Sequence, residues 1–172
     1  MALLPILTAP DPRLKQKSKP VAAVDDELRR LLDDMLETMY AAPGVGLAAI
    51  QVGVPKRALV IDVARDDEPK QPLCLINPEI VWASDEDASY EEGCLSLPDQ
   101  FADVARPAAV RVRYLDRNGN RKELEAEGLL AVCVQHEMDH LDGVLFVDHI
   151  SALKRNMILR RLLKQKQRAA AG

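Results

Sequence analysis

Aromatic residues are scarce in this chain: two Phe, three Tyr and one Trp, 3% of 172 residues. A core of ordinary size must therefore be built from Leu, Val, Ile and Ala. No apolar run approaches the roughly 20 residues of a membrane-spanning helix, which argues against an integral helical membrane protein. The opening MALLPILTAPDPRLK carries Pro5, Pro10 and Pro12 and has no basic segment ahead of its short apolar run. It does not read as a signal peptide, and a cytoplasmic protein is expected. Cysteines number three (Cys74, Cys94 and Cys133), odd and far apart. Disulfides are not expected, and metal binding or catalysis is the better use for a special thiol. Histidines also number three, and two of them, His136 and His140, fall within five residues of each other.

What remains is the composition of a soluble globular chain, 48% hydrophobic and 29% charged, of a length that suits one domain. The net charge of −4 is unevenly spread. From Ser151 onward there are seven Lys or Arg and no acid, leaving 16 basic against 27 acidic residues elsewhere, a charge of −11. An acidic body with a basic tail points to an anionic partner for the tail, against the plain reading of a solvated helix face.

Periodicity supplies the elements. Leu28, Leu31, Leu32, Met35, Leu36 and Met39 form one helical face behind an Asp25 cap, ended by Pro43-Gly44. Strands are expected over 57–63 and 73–82, with Asn77-Pro78 at a bend, and an acidic turn over 84–89. Val110, Val112 and Tyr114 alternate with Arg111 and Arg113, then Asp116-Arg117-Asn118-Gly119 turns the chain into 122–126, a β-hairpin. A second helix runs from Gly128 to about Leu141. Its residues 129–134 are apolar all round, so it should be central. A last, basic helix starts from a Ser151 cap. The order α, strands, α, α predicts an α+β fold with mostly antiparallel sheet.

The chemistry lies in Gln135-His136-Glu137-Met138-Asp139-His140. His136 and His140 are i and i+4, so both imidazoles leave one face of the central helix and can grip one metal, with Glu137 placed to work on a water beside it. Buried His and Glu without partners would be costly, and a metal accounts for all three. A thermolysin-like site would add a downstream Glu. After His140 the only acids are Asp142 and Asp148. A thiolate is the better third ligand. Cys133 is too near along the helix and Cys74 lies in an apolar strand, whereas Cys94 sits between Gly93 and Leu95. A Cys/His/His set with an open fourth position has catalytic form. Gly44-Val45-Gly46 is not a dinucleotide fingerprint. Gln51, a lone amide among small apolar residues, is either a satisfied core group or a donor to a substrate carbonyl.

Three segments, Gly44-Val45-Gly46-Leu47-Ala48-Ala49-Ile50-Gln51, Glu92-Gly93-Cys94-Leu95-Ser96 and Gln135-His136-Glu137-Met138-Asp139-His140, resemble the three motifs of peptide deformylase, in order and spacing. Pro10-Asp11-Pro12-Arg13-Leu14 and the helical C-terminus extend the resemblance over nearly the whole chain, to the bacterial type. It implies small antiparallel sheets around a central metal-binding helix, and one catalytic domain over 1–172 with 151–172 as a C-terminal basic helix. It implies a metallohydrolase that removes the formyl group from N-terminal formyl-methionine of new proteins. The metal, one Fe(II) per chain replaceable by zinc, nickel or cobalt, would be held by Cys94, His136 and His140. Thiolate and imidazole ligands suit zinc at least as well.

In that reading a water on the metal attacks the formyl carbon, with Glu137 taking and returning its proton. The Gln51 amide and the Leu95 N–H would stabilise the oxyanion. Gly46 and Gly93 would admit the substrate backbone as a strand beside Val45 and Gly93. The methionine pocket would draw on Val45, Leu129, Val132 and Cys133, braced by a Glu92–Arg106 pair. Phe101 stands where bacterial relatives often carry an Arg. The tail suggests ribosome contact, and a monomer without membrane attachment is expected. A zinc endopeptidase lacks its acidic ligand here. A non-catalytic binder of N-termini or RNA would have no use for Glu137 and Gln51.

Overall fold

A computed structural model describes residues 2–171. The Leu/Met stripe folds as α1, Asp26–Ala41. The Asp25 carboxylate accepts from the Leu28 N–H at 2.9 Å, capping the first turn. Leu28, Leu32, Met35 and Met39 are fully buried.

Seven strands follow the order expected of an α+β chain: β1 (Gly46–Ala48), β2 (Ala58–Ile61), β3 (Leu73–Ala83), β4 (Asp87–Cys94), β5 (Leu97–Pro107), β6 (Ala109–Leu115) and β7 (Arg121–Glu127). Five form one sheet in the order β1-β2-β3-β6-β7, and β4-β5 forms a separate two-stranded sheet. Each pairing is antiparallel.

β2 shows how the larger sheet is built. Successive side chains of a strand point to opposite faces. Ala58 and Val60 join α1 and Leu47 in one cluster. Leu59 and Ile61 join Ala131, Val134, Met138 and Leu141 in another. The last four belong to α2, Gly128–Leu141. The sheet is thus covered by α1 on one face and by α2 on the other. Ten of the 14 residues of α2 are buried, including four polar ones, so it is central, as its all-round apolar start predicts. Its C-terminus is fixed by Gly143 at φ 76° and by Arg57, which donates to the Leu141 carbonyl at 3.1 Å and pairs with Asp142 at 2.9 Å.

The third helix, α3 (Ala152–Ala171), packs Ile158 and Leu162 against Ala9, Leu97, Val104 and Phe146. The Lys154 N–H donates to Ser151 Oγ at 3.2 Å, the expected cap.

Three elements differ from the sequence reading. The strand expected over 57–63 shrinks to four residues, because Arg57 turns to the end of α2 and Asp62 accepts from Tyr40, Ala64 and Gln71. The turn expected over 84–89 closes by Glu86, with Ser84 Oγ donating to the Glu86 carbonyl, so β4 starts at Asp87. β5 is a full strand of 11 residues with no plain alternation. Its hairpin packs on the N-terminal segment and α3 through a few residues only, so most of its side chains stay out of a core.

Candidate active site

α2 brings His136 and His140 to one face, their ring centroids 5.1 Å apart. Cys94 arrives from the other sheet. The β4–β5 register slips between Gly93 and Cys94, which turns the last residue of β4 toward α2. Cys94 Sγ lies 3.3 Å from His140 Nε2. One donor atom from each of Cys94, His136 and His140 lies within 4.8 Å of the others.

The nitrogens of His136 are already divided between two tasks. Its Nδ1–H donates to Glu92 Oε1 at 2.9 Å, which leaves Nε2 for a metal. This is the arrangement in which a carboxylate fixes the tautomer and orientation of a metal-binding imidazole. Glu92 is itself held by Arg106, through Nε to Oε2 at 2.6 Å and Nη2 to Oε1 at 3.0 Å. Burial favours the protonated carboxyl of Glu92, but the hydrogen bonds from His136 and Arg106 outweigh it and hold the group below its ordinary range. Arg106 also donates to Asp139 Oδ2 at 2.8 Å, and the same oxygen is 2.7 Å from His149 Nε2. A hydrogen-bonded chain therefore runs from exposed His149 inward to His136.

Glu137 is the opposite case. It is buried, and its Oε1 has no hydrogen-bond partner among the described residues. Burial pushes its carboxyl up to about 7, against the partial opposition of His136. Gly46 makes room for it: a Cβ at that position would lie 2.5 Å from Glu137 Oε2. Gln51, also buried, is oriented at both ends. Its Oε1 accepts from the Ala48 N–H at 2.9 Å, and its Nε2 donates to Ser96 Oγ at 3.0 Å, 3.6 Å from Cys94 Sγ.

The residues fit a divalent metal. Two imidazoles and a thiol converge, one imidazole is backed by a carboxylate, and His140 Nδ1 and Glu137 Oε1 are buried without partners. Burial disfavours the protonated form of both imidazoles: in His136 it is outweighed by Glu137 and by hydrogen bonds to Cys94 and Glu92, which raise its pKa, and in His140 burial and the charge on His136 lower it.

These groups open on a cleft of about 740 Å³. Val45, Gly46, Gln51, Gly93, Cys94, Leu95, His136 and Glu137 all border it. His140 is fully buried beneath, and Glu92 stands behind His136. Leu129, Val132 and Cys133, expected near the methionine pocket, lie on α2 ahead of His136 and do not border this cleft. Leu129 is half exposed, and Cys133 packs into the sheet core with Ala48 and Met138. Burial pushes the Cys133 thiol up to about 12 and that of Cys74 up to about 11, so neither is a ready thiolate. The expected Glu92–Arg106 pair is present. The acids after His140 are engaged elsewhere, Asp142 with Arg57 and Asp148 with Lys15 and Arg155.

Sequence reasoning passed over Ser96, Asp139 and His149. Ser96 closes the Cys-Leu-Ser run. Asp139 is at i+3 from His136, and His149 is the third histidine, nine residues past His140.

Comparison with known proteins agrees with this geometry. Residues 3–156 match the family described as Polypeptide deformylase. A peptide deformylase of Phenylobacterium zucineum is 61% identical over 98% of this chain and 100% of that protein. One of Rhizobium meliloti is 60% identical over 95% of this chain and 94% of that protein. The crystal structure of peptide deformylase from Ehrlichia chaffeensis superposes with a TM-score of 0.94 at 43% identity, covering 98% of this chain and 99% of that one. The Ehrlichia chaffeensis enzyme in complex with actinonin superposes with a TM-score of 0.92 at 46% identity, over 96% of this chain and 98% of that one.

Proposed function

The chain belongs to the polypeptide deformylase family, and on that premise we propose that Cys94, His136 and His140 hold its metal while Glu137, Gln51 and Leu95 act on the formyl group. The protein is a metal-dependent hydrolase that removes the N-formyl group from newly made chains. One observation carries the residue assignment: three donor atoms within 4.8 Å of one another, beside a buried carboxyl that lacks a partner.

The bound metal supplies Lewis acidity, which makes water acidic near neutral pH and polarises a carbonyl. The chain does the rest. Glu137 Oε1 takes the proton of the attacking water and later delivers it to the departing amine nitrogen. A carboxyl pushed up to about 7 suits both duties. Gln51 is locked by Ala48 and Ser96, so its Nε2 needs no reorganisation to meet the developing oxyanion, with the Leu95 N–H as second donor. Gly46 and Gly93 let the peptide approach as an added strand beside Val45. The methionine side chain is assigned to the cleft wall at Val45, while Leu129, Val132 and Cys133, expected to share that wall, do not border the cleft; Glu92 and Arg106 hold α2 behind it.

We assign Fe(II) as the metal, one per chain, with zinc, nickel or cobalt able to replace it. Metal analysis of protein purified without oxygen tests this. The protein acts as a monomeric single domain in the cytoplasm. None of the described helices is long and apolar enough to cross a membrane.

Formate release from formyl-Met-Ala-Ser by metal-replete protein is the direct test, and no turnover with iron or cobalt would sink the reading. The basic helix is assigned to ribosome contact. Lys154, Arg160, Arg161, Lys164 and Arg168 are exposed, while Ile158 and Leu162 anchor the opposite side. Reversing the charges of Arg160, Arg161 and Lys164 leaves that anchor intact and should weaken ribosome co-sedimentation at low salt. Unchanged binding would remove this role.

A further inference from the structure

The segment 2–10 forms no helix and no strand, yet it joins the two halves of the reaction site. The Leu7 N–H donates to the Gln51 carbonyl at 2.7 Å, and the Ala9 N–H donates to the Ser96 carbonyl at 2.8 Å. Gln51 lies in the short turn Ala49–Val52 that follows β1, on the large sheet. Ser96 lies between β4 and β5, in the turn of the small one. The two sheets share no strand pairing. Two N–H groups that are two residues apart can stand no more than about 7 Å from each other. The segment therefore holds one carbonyl from each sheet at a fixed spacing.

Both carbonyls belong to the oxyanion donors. Gln51 carries the amide itself, and Ser96 directly follows Leu95, whose N–H is the second donor. The segment is anchored in turn. The Leu4 N–H donates to Thr38 Oγ1 on α1 at 2.9 Å, and the Thr8 carbonyl accepts from Lys166 Nζ on α3 at 2.6 Å. Ala9 is buried with Leu97 and Phe146, and Ile6 borders the cleft. A segment that only covered the core would bury side chains. This one also aims its inner N–H groups at the two backbones that carry the donors.

We infer that Leu7 and Ala9 are positioning residues, a strap that sets the gap between the Gln51 amide and the Leu95 N–H and keeps both aimed at one oxygen. The inference rests on the deformylase reading for the roles of those donors. Preorganised donors act on the charge that develops in the transition state, so the effect of the strap belongs in kcat.

Replacing Leu7 by its α-hydroxy acid counterpart turns the N–H into an ester oxygen and keeps the side chain. In metal-replete protein this should lower kcat for formyl-Met-Ala-Ser about tenfold, with KM within about twofold. The same exchange at Ala9 should act in the same direction. In the Gln51→Ala background the Leu7 ester should cost less than about twofold more, because the group it positions is gone. A general loosening of the fold would lower kcat equally in both backgrounds. In zinc-loaded protein, NMR reads the displacement without turnover, as a shift of the Gln51 side-chain amide signal in the Leu7 ester. Unchanged kcat with both esters, equal losses in the two backgrounds, or an unmoved Gln51 signal would overturn the strap. A shifted signal in a protein whose wild type releases no formate would support the strap and overturn the deformylase reading instead.

Discussion

Two buried carboxylates flank His136, and they live under opposite rules. Behind the ring, Glu92 accepts from His136 and from two nitrogens of Arg106, and is held below its ordinary range. On the cleft side, Glu137 has an oxygen without a partner and is pushed up to about 7. Both are almost fully removed from water, so burial alone does not set their behaviour. The number of donors aimed at each oxygen does. A saturated carboxylate is a fixed part of the frame. An unsaturated one is free to take a proton and give it back. The bracing region spends its polar groups on each other, and the reacting region keeps one in reserve.

The contrast can be broken from either side. Glu137→Gln should cause the largest change in rate, a loss of about 10²–10⁴ in kcat. Metal content and thermal stability should be nearly unaffected, because no hydrogen bond to Glu137 Oε1 is lost. Metal analysis beside formate release checks this, and a fully active variant would remove Glu137 as the proton carrier. Gly46→Ala forces the Glu137 carboxyl aside without altering its chemistry. A misplacement on the order of 1 Å should cost about 10²-fold in kcat/KM, and retention of the wild-type rate would show that the carboxyl position is not critical.

On the bracing side the expected damage is to stability first. Arg106→Met leaves the Glu92 charge buried without its cation, which should cost about 3–5 kcal/mol in denaturant unfolding. The same change should weaken metal affinity by about 10–100-fold through the loosened His136. An unchanged unfolding midpoint would contradict the role given to the pair. At the outer end of the chain, His149→Phe removes one of two donors to Asp139 Oδ2 while Arg106 keeps the other. Its effect on metal release to a chelator should be smaller than that of Arg106→Met, roughly a few-fold, with His149→Gln restoring the wild-type rate. An effect equal to that of Arg106→Met would mean the chain does not weaken with distance.

The legible parts of the molecule were those with local signatures. The α1 stripe, the Asp25 cap, the Asn118-Gly119 hairpin and the all-round apolar start of α2 each follow from spacing within one segment. The three residues that converge in the candidate metal cluster were legible because His136 and His140 share a helix face and the alternatives to Cys94 could be set aside in turn. What escaped depended on contacts far apart in the chain. β5 has no clear alternation because its hairpin packs only in part. His149 reaches Asp139 through a turn whose path the sequence does not state. The bond between Glu92 and His136 escaped for the same reason: the family resemblance implied the Glu92–Arg106 pair and the role of Glu137, but only the fold brings Glu92 behind the His136 ring.

The two sheets share no strand pairing. Cys94 belongs to the small one, and the two histidines belong to the helix seated on the large one. An ion held by all three is therefore a cross-link between two sub-assemblies, closing a chain loop whose ends at Cys94 and His140 stand 46 positions apart. Such a clasp would restrict opening of the β4–β5 hairpin more than it would change the five-stranded sheet. The hairpin also carries Gly93, Leu95 and Phe101, which border the cleft. The ion that activates the reaction would then also set the stiffness of the surface on which the peptide is read.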